Sequence, residues 1–139
     1  MNDSFVIDNS VVMSWYFKDE TNHYADKVLD RLLNTEAFVP SIWPLEVVNV
    51  LLVAERQNRL KHANSLRFLE LLLQLPIVVE HGFSKTTMKE ALALGRTTNL
   101  SSYDTAYLLL AIRKNRPLAT LDKKLIEAAE NINVKVLYG

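Results

Sequence analysis

Short apolar runs alternate along the chain with longer stretches in which apolar residues recur every three or four positions. Phe5-Val6-Ile7 is the first run, and it stops at the turn-forming set Asp8-Asn9-Ser10. Val11 to Phe17 reads as a short helix, and His23 to Leu33 as a second, with Ala25, Val28, Leu29, Leu32 and Leu33 along one side. Ala37-Phe38-Val39 is a second strand closed by Pro40. Pro44 opens a helix to about Asn58, because proline is tolerated at the first helical position. His62 to about Leu75 is a further helix and Ile77-Val78-Val79 a third strand. Lys85 to Thr97 and Ser101 to Lys114 are helical, the former weakened near its end by Gly95. Leu118-Ala119-Thr120 is a fourth strand, Asp122 starts a helix to about Glu130, and Val134 to Leu137 is a fifth strand.

Strands this short and this apolar belong to a parallel sheet buried on both faces. Alternation with helices and right-handed crossovers predicts a three-layer α/β fold. At 139 residues, with no repeat, biased stretch or linker, the chain suits one domain spanning residues 1–139. The start of the chain carries Asp3 and no basic region, and no apolar run approaches the ~20 residues of a membrane helix. Together with the absence of cysteine, this leads us to expect a cytoplasmic protein. Acids and bases balance at 16 each, which speaks against binding nucleic acid through bulk charge but not against local phosphate contacts.

The informative acids are Asp8, Glu46, Asp104 and Asp122. Each falls at a strand exit or in the first turn of a helix, and sites in open parallel sheets form beyond the carboxyl ends of the strands. Taken singly, each has a plain structural reading. Asp8 suits an Asx-turn, Glu46 a first-turn acid favoured by the helix dipole, Ser101 to Asp104 a capping box, and Asp122 an N-cap. If the four ends converge, their repulsion demands a counter-charge. A site of acids alone, without cysteine and without a nearby histidine, favours Mg²⁺ or Mn²⁺ over Zn²⁺. His23, His62 and His81 are scattered through other segments.

The motifs carrying these acids resemble those of PIN-domain nucleases: Phe5-Val6-Ile7-Asp8-Asn9-Ser10, Pro44-Leu45-Glu46-Val47-Val48-Asn49-Val50-Leu51, Leu100-Ser101-Ser102-Tyr103-Asp104-Thr105-Ala106-Tyr107-Leu108 and Leu118-Ala119-Thr120-Leu121-Asp122-Lys123-Lys124-Leu125. In order, spacing and length the chain is similar to the small VapC-type toxins. Only Leu121, where a small or polar residue is frequent in the family, departs from the pattern. The resemblance implies a PIN-like, Rossmann-like domain with about five parallel strands. It also implies a Mg²⁺- or Mn²⁺-dependent endoribonuclease, the toxin of a toxin–antitoxin pair, with a cognate antitoxin and a homodimeric state. Asp8, Glu46, Asp104 and Asp122 match the family's acidic positions one by one, as catalytic and metal-binding residues.

Around them, Asn49 lies on the same helix face as Glu46 and could steady a carboxylate. Ser10 and Thr120 could do the same, although helix capping explains both. Lys123 and Lys124 could meet the RNA backbone, or simply form a solvated face; Arg56, Arg59 and Lys61 raise the same question. The Pro44 helix has little polar face in its middle, which implies either core on all sides or a partner, with Trp15, Tyr16, Phe17 and Trp43 as possible aromatic anchors. Two other classes remain open. A non-catalytic PIN-like module would bind RNA or protein without cleaving it. A receiver-type phosphoryl-transfer protein would also place acids at strand exits, but here strand one ends in a single acid. Gly82, Gly95 and Gly139 cannot build a Gly-rich phosphate loop.

Overall fold

The computed structural model describes residues 2–17 and 23–138. Four short strands, β1 (Phe5–Ile7), β2 (Ala37–Pro40), β3 (Ile77–Glu80) and β4 (Leu118–Ala119), form one parallel sheet in the order β3-β2-β1-β4. Among the described residues, seven helices connect and follow them: α1 (Asn9–Ser14), α2 (His23–Arg31), α3 (Trp43–Arg56), α4 (His62–Leu72), α5 (Lys85–Thr98), α6 (Ser102–Lys114) and α7 (Lys123–Asn131). The chain steps outward from β1 to β2 to β3, then returns across the sheet to place β4 on the other side of β1. Right-handed crossovers therefore put α1–α4 on one face and α5–α7 on the other, with α6 packed against β1 and β2. This reversal between β1 and β4 is where open α/β sheets leave a crevice beyond the strand ends.

The central strands read as unbroken apolar runs because both faces are covered. Phe5, Val6, Ile7, Leu118 and Ala119 are fully buried. The segment expected as a fifth strand, Val134 to Leu137, pairs with β4 through a single parallel bridge, Leu118 to Val136. Leu118 N–H donates to the Lys135 carbonyl and Leu137 N–H to the Leu118 carbonyl. β4 has only two residues, so its outer edge has no room for a longer ladder. Trp43 rather than Pro44 is the first residue of α3, and α4 stops at Leu72, earlier than the apolar spacing suggests.

Glycine is scarce, and asparagine ends the helices instead. Asn58, Asn99, Asn115 and Asn133 all have positive φ, the left-handed conformation that asparagine tolerates better than most residues. After three of them the chain closes back on the helix it has left: Arg59 N–H reaches the Ala54 carbonyl, Arg116 N–H that of Ala111, and Val134 N–H that of Ala129. Gly95 does not end α5. It sits inside the helix, where an added Cβ would lie 3.4 Å from Thr105 Oγ1 on α6, about van der Waals contact.

Of the aromatic residues considered as anchors, one is in the core and Trp15, Tyr16 and Phe17 are half-buried. Trp43 is buried, Trp15 Nε1 donates to the Ala25 carbonyl at 2.9 Å, and Tyr16 packs on Phe17 and Phe68. Arg59 lies over the Phe17 ring, 5.1 Å from its centroid. α3 is divided: Trp43, Val47, Leu51 and Ala54 face the core, while Leu45, Val48, Leu52 and Val53 are exposed. No helix among the described residues is long and apolar enough to cross a membrane.

Leu118 is fully buried where β4 meets both β1 and the Val136 bridge. Leu118→Ala should cost about 2–5 kcal/mol, read as a lowered urea midpoint without a change in slope.

Candidate active site

Asp8 stands at the exit of β1, in the N-cap position of α1, yet its side chain makes no capping bond. Its Oδ2 instead accepts two hydroxyl protons, from Ser10 Oγ at 2.7 Å and from Thr120 Oγ1 at 2.7 Å. Both hydroxyls also accept a bond. Ser10 Oγ accepts from Leu121 N–H at 3.1 Å, and Thr120 Oγ1 accepts from Asp122 N–H at 3.0 Å. Each hydroxyl thus donates to the carboxylate and accepts from the β4 exit. The pairing of Ile7 with Ala119, and a backbone bond from Asp8 N–H to the Ala119 carbonyl, hold the two strand ends together. Asp8 is only 6 % exposed, and its carboxylate also accepts from the Asn9 backbone N–H.

Asp122 caps α7 as a plain reading of the sequence expects. One carboxylate oxygen, Oδ1, accepts from Lys124 N–H at 2.9 Å and from Leu125 N–H at 3.4 Å. Ser101 caps α6, its hydroxyl accepting from Asp104 N–H at 3.2 Å, so Asp104 sits in the first turn without serving as the cap. Glu46 lies in the first turn of α3 and accepts at Oε1 from the Tyr107 hydroxyl, at 2.6 Å. Tyr107 follows Asp104 by one helical turn on α6, hence on the same face, and is fully buried.

The four acids share one electrostatic neighbourhood. Burial chiefly pushes the Asp8 carboxyl above the ordinary aspartate value, and Asp122 adds to the rise, while the Ser10 and Thr120 hydroxyls oppose it. Glu46 is raised first by burial, then by Asp8 and Asp104, against the pull of the Tyr107 hydroxyl. Asp104 is raised by burial, then by Asp8 and Asp122, while Ser101 and the Lys124 ammonium act the other way. Burial chiefly, and then the bond to Glu46 and the charges of Glu46, Asp8 and Asp104, hold the Tyr107 phenol far above its usual range, so it remains a proton donor at every working pH. Among the described residues, no three His, Asp or Glu side chains stand together as a cage for one ion. Mg²⁺ does not require such a cage. It is usually held by one or two carboxylates, with waters and substrate phosphate completing its shell. An all-oxygen set of mutually repelling acids fits that group.

The remaining expected residues are placed as follows. Ser10 and Thr120 touch Asp8 directly. Asn49 is exposed and lines a groove of about 440 Å³ with Ile42, Leu45, Glu46, Val48, Leu52 and Tyr103; no hydrogen bond joins it to a carboxylate among the described residues. Lys123 and Lys124 are exposed at the start of α7, and Lys124 is close enough for Asp104 to feel its charge. Tyr107 is the contact that sequence reasoning did not single out. Its signal was present: a tyrosine three residues after an acid, on a helix whose other inward positions are Leu, Ala and Thr.

The sequence profile of the PIN domain matches residues 5–131. In the solved structures, the crystal structure of PAE2754 from Pyrobaculum aerophilum is similar, with a TM-score of 0.70 at 20 % identity, covering 92 % of this chain and 87 % of that one. At that identity the likeness concerns the fold. No curated protein matches in a sequence comparison.

Two expectations follow from this geometry. Thr120→Val removes a donor from a buried carboxylate and an acceptor from Asp122 N–H, and should cost about 1–3 kcal/mol in urea unfolding. Glu46 has its folded-state pKa above its unfolded one, so the folded protein binds the proton more tightly and loses stability as pH rises through that window. Glu46→Gln keeps an acceptor for Tyr107 and lacks this loss. Its melting temperature relative to wild type should therefore rise between about pH 4 and about pH 8. An unchanged difference between the two proteins would show that the carboxylate is not under strain.

Proposed function

The chain belongs to the PIN domain family, whose domains are generally nucleases, and from that premise we propose that it is a metal-dependent endoribonuclease acting through Asp8, Glu46, Asp104 and Asp122. The observation that carries the reading is the mutual electrostatic stress of these acids at the β1/β4 reversal, where Asp8, Glu46 and Asp104 are each raised by burial and by another member of the set. Capping alone would not bring them into each other's field. A bare cluster of this kind also repels a phosphodiester, so RNA can approach only when cations offset the charge.

The residues divide the work by which oxygen each has left. Asp8 would present Oδ1, the oxygen that neither hydroxyl engages. Asp122 presents Oδ2, since Oδ1 caps α7. With Asp104 these are the oxygens that would hold Mg²⁺ or Mn²⁺, Asp8 and Asp104 as principal ligands and Asp122 for a second ion or its waters. When bound, such an ion supplies a lowered pKa for a water and charge stabilisation on the phosphate oxygens. Glu46 binds on the same side or orients the attacking water for in-line hydrolysis. Lys124, already within the field of Asp104, and Lys123 beside it meet the RNA backbone. Ser10 and Thr120 keep Asp8 fixed.

The order and spacing of the four motifs support a finer reading as a VapC-type toxin of a type II toxin–antitoxin pair, bound by a cognate antitoxin and present as a homodimer in the cytoplasm. The exposed Leu45, Val48, Leu52 and Val53 on α3 supply apolar surface of the kind that such partners cover.

Purified protein free of partners should cleave cellular RNA at discrete sites with Mg²⁺ or Mn²⁺, and lose the activity in excess EDTA and in Asp104→Asn, by about 10²-fold or more. Mn²⁺ alone should also raise the melting temperature of the wild type but not of Asp104→Asn. Cleavage that survives both treatments would sink the assignment. Folded protein that binds RNA without cutting it would place the chain among non-catalytic binding modules.

A further inference from the structure

We propose that Tyr107 is a positioning residue: its buried hydroxyl fixes the rotamer of Glu46 and leaves Oε2 as the oxygen that carboxylate offers to the metal side of the site. The proposal rests on the nuclease reading of the four acids and assigns a role to a residue outside them.

Glu46 has three rotatable side-chain bonds and is only partly buried, so by itself it would sample several positions. Its backbone is held, because Trp43 and Val47 on either side of it are in the core. Tyr107 is held more tightly. It is 0 % exposed, on a helix packed against β1 and β2, with Leu108 and Ala111 of the same helix also buried. A buried hydroxyl needs an acceptor, and the one it meets is Glu46 Oε1, at 2.6 Å, across 61 residues of sequence. The short distance suits an O–H donor on a carboxylate. One rigid donor therefore selects one oxygen of a flexible acid, and the other oxygen is set by the planarity of the carboxylate. α6 delivers Asp104 and Tyr107 from adjacent turns, so the same helix that carries one acid aims another. Partners of this kind around metal-binding carboxylates change affinity or activity by about 10–100-fold when removed.

A purely structural tie between α3 and α6 would show itself in stability alone. The test is a double-mutant cycle with Mn²⁺ as the probe, by titration calorimetry without RNA. Wild type, Tyr107→Phe, Glu46→Gln and the double variant are compared, each first shown to be folded. Tyr107→Phe keeps the ring in the core and removes only the hydroxyl. The expected result is a dissociation constant for Mn²⁺ raised about 10-fold in Tyr107→Phe, and a double variant no weaker than Glu46→Gln alone. On RNA, kcat of Tyr107→Phe should fall about 10-fold or more, with KM within about threefold. Wild-type Mn²⁺ affinity in Tyr107→Phe, or additive losses in the double variant, would overturn the proposal. A wild type that binds Mn²⁺ and shows the cycle but cuts no RNA would remove the nuclease reading and leave the positioning role standing. A wild type that cuts RNA while Tyr107→Phe matches it in kcat and in Mn²⁺ affinity would remove only the latter.

Discussion

A nearly buried carboxylate, Asp8, held by two hydroxyls at the junction of two parallel strands, is the interaction on which the candidate site depends. Burying a charge is costly unless hydrogen bonds replace its water. Here Ser10 and Thr120 provide them, and each hydroxyl passes its acceptor capacity to a backbone N–H of the β4 exit. The network ties residues more than a hundred positions apart and works only if β4 inserts next to β1. The short β4 strand, which makes two pairs with β1 and one bridge to Val136, is thereby fastened at the end where chemistry would occur.

The same economy governs the other acids. α3, α6 and α7 all begin at this end of the sheet, and the partial positive charge of a helix N-terminus favours a carboxylate there. That helps three acids coexist but does not remove their repulsion, since burial and neighbouring charge still raise Glu46 and Asp104. In Asp122 a single oxygen, Oδ1, caps α7, accepting from Lys124 N–H and Leu125 N–H. A helix cap and a candidate ligand are not rival descriptions of it.

α3 links the site to the surface. Its inner positions, Trp43, Val47, Leu51 and Ala54, fill the core, and its outer ones leave Leu45, Val48, Leu52 and Val53 in solvent beside the groove that Glu46 and Tyr103 also line. An apolar face next to a charged centre lets anything that covers the first govern access to the second.

The sequence by itself determined the alternation of strand and helix, and with it a parallel sheet with acids at its carboxyl end, because apolar periodicity and turn chemistry are local. Asp8 after Phe5-Val6-Ile7, Ser101 as a cap ahead of Asp104, and Asp122 at the head of α7 were all legible on those grounds. The asparagines that end helices in the left-handed conformation were not read from the sequence; the structure showed them. Tertiary structure alone decided what is non-local. It set the strand order that puts β4 beside β1, reduced Val134 to Leu137 to one bridge, made Asp8, read as an Asx-turn residue, an acceptor for Ser10 and Thr120, and left Asn49 in the groove wall. It also brought Tyr107 to Glu46. A pairing between two helices distant in sequence has no periodicity to announce it; it exists only once the sheet has fixed where both helices start.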